Sequence, residues 1–285
     1  MIVAIRIVSD STCDLPESIL RDYGISIIPC FINFGEQSFL DNVEMTRPEF
    51  YDRLKGNIVF PKTSAPSIGL FKEFYAKVAG EGVEEILSIH IHHGLSNMSN
   101  VARLAADAMQ SVKVTVLEVG QVALGLGFLV AEAARAALQG KTKQEIIKIL
   151  NDRDHSTNLL AAIDSTAYLK HSGRIPNLLV DLAGLLNIKP ILLLHDGKIS
   201  LTDRARTTTQ QIEAIIKRTM KLSPLAELGV IHANAFEKAE ELSKTACKAL
   251  DFSGKTWIIE ATPVLGVHVG PGAFGLACVS KQSHS

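Results

Sequence analysis

The chain has 285 residues, 47% of them hydrophobic but only 6% aromatic, which suits mostly aliphatic cores and gives length enough for two domains of ordinary size. Its formal net charge is -1, so it lacks the basic excess that a nucleic-acid footprint requires. The longest apolar run, around 119–134, is broken by Gly125, Gly127 and Glu132 and falls short of the roughly 20 apolar residues of a bilayer span, which predicts a buried helix.

Residues 3–8 read as a first strand rather than a leader segment, ending in Ser9-Asp10-Ser11-Thr12-Cys13-Asp14. A helix over 15–22 follows, with Asp14 as N-cap, Pro16 in the first turn and Glu17 at capping-box spacing. A strand is predicted over 25–34 and a helix over 47–55, opened by the capping box Thr46…Glu49. Lys62-Thr63-Ser64-Ala65-Pro66-Ser67 precedes a helix over 68–80, with Phe71, Phe74, Tyr75 and Val78 at helical spacing. An apolar strand over 84–92 then runs through a turn at Gly94 into Ser96, Asn97, Ser99 and a helix over 98–110. A strand over 113–118 and helices over 121–139 and 143–150 complete the first half, the last opened by Thr142…Glu145. Alternation of this kind implies a parallel sheet covered on both faces.

The loops 9–14, 62–67 and 94–99 each pair hydroxyl side chains with a helix start. Helix starts present free N–H groups to anions, and in an open α/β sheet such loops line a common crevice. Hydroxyls and amides, without a phosphate-binding lysine and a magnesium-binding threonine, favour holding a carboxylate or single phosphate over hydrolysing a nucleotide.

The polar run 151–158 is the best candidate boundary, giving a first domain over 1–155 and a second over 156–285. The second half begins with a strand over 159–163 and one or two helices over 168–186, interrupted at Ser172-Gly173-Arg174. Strands over 191–195 and 198–201 flank Asp196-Gly197, a strong hairpin signal. Helices near 208–221 and 236–249 alternate with strands at 229–232 and 256–260, before a glycine-rich loop over 266–275 and a last strand. The predicted fold class is α/β in two domains. The N-terminal one carries a Rossmann-like parallel sheet and the C-terminal one a mixed sheet.

Strand alternation puts His90 and His92 on one face and His93 on the other, with no acidic ligand following, so the reading is hydrogen-bonded or solvent-facing histidines and no metal. Asp10 and Asp14 stand four apart, not the two apart of an aspartyl-phosphate phosphatase. Cys13, Cys30, Cys247 and Cys278 have no paired spacing and read as reduced thiols of a cytoplasmic protein. His268 lies in the glycine-rich loop, where backbone can approach a ligand closely. Arg174, Arg204 and Arg206 sit at or near turns and suit a phosphate or acidic partner. Two functions remain: a binding protein, or a free-standing hydrolase or small-molecule kinase using the same crevice. The sequence has no P-loop, no Gly-x-Ser-x-Gly elbow and no clustered metal set, which favours the binding protein.

Several motifs occur in one order along nearly the whole chain: Val8-Ser-Asp-Ser-Thr-Cys-Asp-Leu-Pro16, Lys62-Thr-Ser-Ala-Pro-Ser67, Gly94-Leu-Ser96, Tyr168-Leu-Lys-His-Ser-Gly-Arg-Ile175, Lys189-Pro-Ile191, Arg206-Thr207 and His268-Val-Gly-Pro-Gly-Ala273. Together they resemble the DegV family. The resemblance implies a two-domain α/β protein that buries a long-chain fatty acid as ligand between the two domains and needs no cofactor. It further implies the role of binding subunit of a bacterial fatty acid kinase in phospholipid metabolism, presenting the carboxylate to a separate ATP-binding subunit for acyl-phosphate formation. Transient membrane contact for ligand exchange belongs to the same expectation. By the same resemblance Thr63 and Ser96 hold the carboxylate with His268 nearby, and Arg174 and Arg206 engage the kinase subunit. The chain departs from the family pattern twice. Ser-Ser-Gly-Leu-Ser-Gly-Thr is here His92-His93-Gly94-Leu95-Ser96-Asn97-Met98, and Asp-Ser after the fourth strand is Glu118-Val119.

Overall fold

The structure, a computed structural model, describes residues 5–56, 60–175 and 188–281. Strands β1 (Ile5–Asp10), β2 (Ser26–Ile28), β6 (Glu85–Ile91) and β7 (Lys113–Val119) form a parallel sheet in the order β2-β1-β6-β7. Helices α3 (Ile68–Ala79) and α4 (Met98–Asp107) cover one face, where Phe71, Tyr75 and Ala102 meet Val8 and Ile86. On the other face, Ile7, Leu87 and Ile89 meet Leu126, Leu129 and Val130 of α5 (Ala123–Leu138).

The single strand predicted over 25–34 is two strands. Pro29, which has no N–H to give a ladder, ends β2. The chain then turns into β3 (Phe31–Phe34), which pairs with β4 (Gln37–Leu40) and β5 (Lys62–Ser64) in a separate antiparallel sheet, order β4-β3-β5. Helix α2 (Arg47–Gly56) lies between β4 and β5 in sequence. Asp14 is not the N-cap of α1 (Glu17–Asp22). It is left-handed (φ 49°), Pro16 takes the cap position, and no side chain caps that helix. The capping box of α6 (Lys143–Ser156) forms as predicted, but the helix continues through the polar run to Ser156. The run's polar residues bond to the body of the protein: Asp154 Oδ2 accepts from Gly120 N–H at 2.6 Å and Arg153 pairs with Glu227.

The second sheet contains β8 (Thr157–Ala162), β9 (Lys189–His195), β10 (Lys198–Ala205), β11 (Leu225–His232), β12 (Thr256–Glu260) and β13 (Phe274–Ser280). Its order is β10-β9-β8-β13-β11-β12, and only β11 and β12 run parallel, so the sheet is mixed. Asp196 and Gly197, both at positive φ, make the predicted hairpin turn between β9 and β10. Helix α7 (Thr166–Ser172) precedes the rest of the predicted 168–186 helical stretch, of which residues 176–186 lie outside the described residues. Helices α8 (Thr208–Met220) and α9 (Phe236–Ala249) cover one face of this sheet. The other face receives α5, whose Leu124 and Phe128 pack with Leu159, Ile231 and Ala277. The contact is close enough that a Cβ at Gly229 would come within 2.4 Å of Leu124. Helix α5 therefore belongs to both cores, which is why its sequence is apolar nearly all round. No helix among the described residues is long and apolar enough to cross a membrane.

A short helix, α10 (Pro263–Val269), occupies the start of what reads as a glycine loop, with Pro263 in its first turn. Two buried carboxylates hold its N-terminus: Asp14 Oδ1 accepts from Thr262 N–H at 2.7 Å and Asp41 Oδ1 from Val264 N–H at 3.3 Å. The second oxygen of each has no partner. Burial pushes both carboxyls up to about 7, outweighing hydrogen bonds from Thr262 N–H to Asp14 and from Ser11 and Val264 N–H to Asp41.

These acids keep a proton in the fold at pH values where the unfolded chain has lost it. The stability they contribute is full below the ordinary value of 3.8, declines as pH rises toward about 7, and is level above that. Asp41→Asn retains an acceptor for Val264 N–H and abolishes one titration. Its melting temperature relative to the parent is expected to climb between about pH 4 and pH 7 and then flatten, each unit of pKa shift corresponding to ~1.4 kcal/mol. A difference independent of pH would show Asp41 ionised in the fold throughout.

Candidate functional site

The loops 9–14, 62–67 and 94–99 all contribute to one cavity of about 330 Å³ between the two larger sheets. Thr12, Thr63 and Ser96 come from those loops, and Leu159, Ala161, Leu192 and Leu194 from β8 and β9 opposite. The strands supply aliphatic side chains because this face of the second sheet is turned toward the cavity rather than toward α8 and α9. Asn97, Ser172, His268 and Arg174 add further polar groups.

Thr63 is the middle residue of β5, paired with Ile32 of β3. Its Oγ1 lies 2.9 Å from His268 Nε2 in the last turn of α10. This contact joins residues 205 apart in sequence. Burial, with a smaller contribution from the Arg174 guanidinium, lowers the imidazole pKa to about 4, so His268 is neutral at pH 7. Its Nδ1 is buried and has no partner. The glycine-rich loop expected around His268 is in fact a helix and its flank, and its glycines admit protein atoms rather than a ligand. A Cβ at Gly266 would come within 2.6 Å of the Phe50 ring, and one at Gly270 within 2.2 Å of Tyr168.

Ser96 is half-buried in the turn before α4, where its Oγ accepts from Met98 N–H at 3.4 Å. Arg174, just after α7, is exposed and lines the cavity, while Arg206 lies beyond β10 and does not. Arg206 is exposed, its backbone N–H donating to Gln210. Arg204 is within β10 and also outside the cavity lining. The aromatic seat Phe60–His171, stacked at 3.8 Å, with Tyr168 edge-on at 5.1 Å, ties the segment before β5 to α7 and so sets Thr63 relative to Arg174.

Beneath Thr12 runs a buried chain that strand periodicity alone does not reveal. Tyr75 donates to Ser88 at 2.9 Å, Ser88 lies 2.7 Å from His90 Nε2, and His90 Nδ1 is 2.7 Å from Asp10 Oδ2. Asp10 Oδ1 then accepts from both the N–H and the hydroxyl of Thr12. His90 is thus a buried histidine with both ring nitrogens hydrogen-bonded, the first of the two alternatives the sequence left open. His92 and His93 lie past the end of β6, and strand alternation no longer applies to them. Both face Glu118 on the neighbouring strand, the acidic group that the local sequence lacks.

A family model described as "Uncharacterised protein, DegV family" matches residues 4–281. A DegV domain-containing protein of Staphylococcus aureus (strain COL) is 33% identical over 278 residues, 96% of this chain and 98% of that protein. A structure of a DegV family protein from Thermus thermophilus, described by its fatty acid binding, aligns with TM-score 0.90 at 26% identity, covering 98% of this chain and 100% of that one. A stearic acid-binding protein from Eubacterium ventriosum aligns with TM-score 0.90 at 25% identity, covering 97% and 98%. The architecture and the matched length agree: the chain belongs to the DegV family.

Proposed function

We propose that this protein binds a long-chain fatty acid in the cavity between its sheets, with the carboxylate held by Thr63 and Ser96 beside His268. The observation that carries the reading is the composition of the cavity wall: an aliphatic lining with hydroxyls and one neutral imidazole. Fatty acid binding by structural relatives of the same architecture supports it.

Energetics divide the work between tail and head. Burying about sixteen carbons contributes on the order of 12 kcal/mol gross at ~0.8 kcal/mol per methylene. Each charge-assisted hydrogen bond to the carboxylate adds ~1.5–3 kcal/mol, and ordering the ligand takes back several. With the imidazole proton on Nε2, His268 donates to Thr63 Oγ1 and leaves the hydroxyl hydrogen free for a ligand oxygen. A carboxylate held by neutral donors keeps its nucleophilicity. That suits a carrier handing its ligand to a separate ATP-binding kinase subunit for acyl-phosphate formation in the cytoplasm, with fatty acid exchanged by transient contact with a membrane. A domain division at 1–155 and 156–285 would put Thr63 and Ser96 in one domain and His268 and Arg174 in the other, the ligand bridging them.

Thr63→Ala and Ser96→Ala are each expected to weaken fatty acid retention about ten-fold or more, by loss of one charge-assisted bond, at little cost in melting temperature. Binding and melting measured on the same preparations test this. A double variant that retains ligand and supports phosphorylation like the parent overturns the head-group assignment.

The two arginines are expected to behave differently because only Arg174 reaches the cavity. Arg206→Ala should leave fatty acid occupancy unchanged while acyl-phosphate formation by a cognate kinase subunit falls about ten-fold, equivalent to ~1.4 kcal/mol of docking or transition-state energy. Arg174→Ala should lower both. Loss of ligand from the Arg206 variant in step with activity rules out a hand-off role for that residue.

A further inference from the structure

The two departures from the family pattern, His92-His93 and Glu118, are far apart in sequence and meet in space at the carboxyl ends of β6 and β7. His93 Nδ1 is 2.6 Å from Glu118 Oε1, and His92 Nε2 is 3.6 Å from the same oxygen. One donor atom from each residue lies within 4.8 Å of the other two. A tetrahedral zinc ion holds its ligands roughly 3.3 Å apart, so the three atoms need move by less than about 1 Å to share one ion.

The surroundings fix the groups in that attitude. Glu118 Oε2 is taken by the Ser99 hydroxyl at 2.6 Å and by Arg103 at 3.2 Å, which leaves Oε1 aimed at the imidazoles. Both bonds are to the ionised carboxylate and favour its charged form. The His92 ring is pinned by the hairpin turn of the second sheet, since a Cβ at Gly197 would come within 2.7 Å of it. Its Nδ1 accepts from the exposed Gly94 N–H at 3.0 Å. Loading an ion moves the His92 ring proton to Nδ1, which releases the Gly94 N–H to water, and leaves the His93 ring proton on its exposed Nε2 while Nδ1 takes the ion. His93 is 70% exposed, which leaves a path for entry and a fourth position for solvent.

We propose that His92, His93 and Glu118 form a binding site for one late first-row divalent cation of the zinc type. Two imidazoles with one carboxylate suit zinc, nickel or copper, whereas magnesium and calcium require oxygen donors throughout. The site is outside the cavity lining, but Ser96 follows His93 by three residues in the same turn, so an ion would clamp the segment that carries Ser96 against β7.

The test is calorimetric titration of zinc chloride into the untagged, chelator-treated full chain, with melting temperature measured alongside. One zinc per chain and a rise in melting temperature are expected, with no response to magnesium. His93→Ala, at an exposed position where folding is not at risk, should raise the dissociation constant at least ten-fold, and Glu118→Gln likewise. His155→Ala is the control, because His155 is a nearby exposed histidine that pairs with Asp196 rather than with Glu118. It should leave the affinity unchanged. Absence of zinc binding, parent-like affinity in His93→Ala, or transfer of the loss to His155→Ala overturns the proposal.

Discussion

The hydrogen bond between Thr63 and His268 is the contact around which the site is arranged, because it joins, at the cavity wall, two groups 205 residues apart in the chain. Thr63 belongs to a three-residue strand of the small antiparallel sheet, and His268 to a seven-residue helix. Neither element is long enough to be stable alone. The helix is held from its N-terminal side by Asp14, from the first strand's loop, and by Asp41, from the end of β4. It is held on its flank by Phe50 and Tyr51 of α2 against Gly266. Three segments of the first half thus set the position of one histidine from the second.

This anchoring has a cost that the sequence accepts. Two carboxylates buried with one oxygen each unpartnered are disfavoured as anions, and near neutral pH they are poised between charged and neutral forms. Their charge also complements the free N–H groups at the start of α10, an interaction that exists only while that helix is folded. The local cost is balanced by the shared core around α5, which packs Leu126 and Leu129 on one sheet and Leu124 and Phe128 on the other.

Much of the fold was legible because its long elements obey simple periodicities. Strands β6 and β7, helices α3 and α4 and the Asp196-Gly197 hairpin follow apolar spacing and turn chemistry. Convergence of the loops 9–14 and 94–99 followed from the topology of a parallel sheet, whereas Thr63 reaches the same cavity on β5 of the separate antiparallel sheet. What was not legible depended on partners distant in the chain. Asp14 has the spacing of a helix cap, but its best donor is Thr262, 248 residues away. Glycines 266, 270 and 272 resemble a ligand-cradling loop, but they are small because Phe50, Tyr168 and Asp164 press against them. The break of the second strand at Pro29 was visible in principle, since proline cannot serve inside a ladder, yet the apolar run around it masks the signal. His92 and His93 escaped the alternation rule because the strand had already ended.

The balance of charge around the cavity carries the last step. A lysine or arginine bonded directly at Thr63's place would bind a carboxylate more strongly but would also neutralise it, lowering its nucleophilicity. Here burial and the nearby guanidinium keep His268 neutral, and the one cationic side chain that lines the cavity among the described residues, Arg174, is exposed. An exposed guanidinium is screened by solvent and contributes modestly to ground-state affinity. It acts more strongly on charge that develops nearby during a reaction, once a second protein excludes water from the opening. In the proposed reading, the division of labour follows from dielectric environment: neutral donors where the ligand rests, and a cation where a phosphoryl group would arrive.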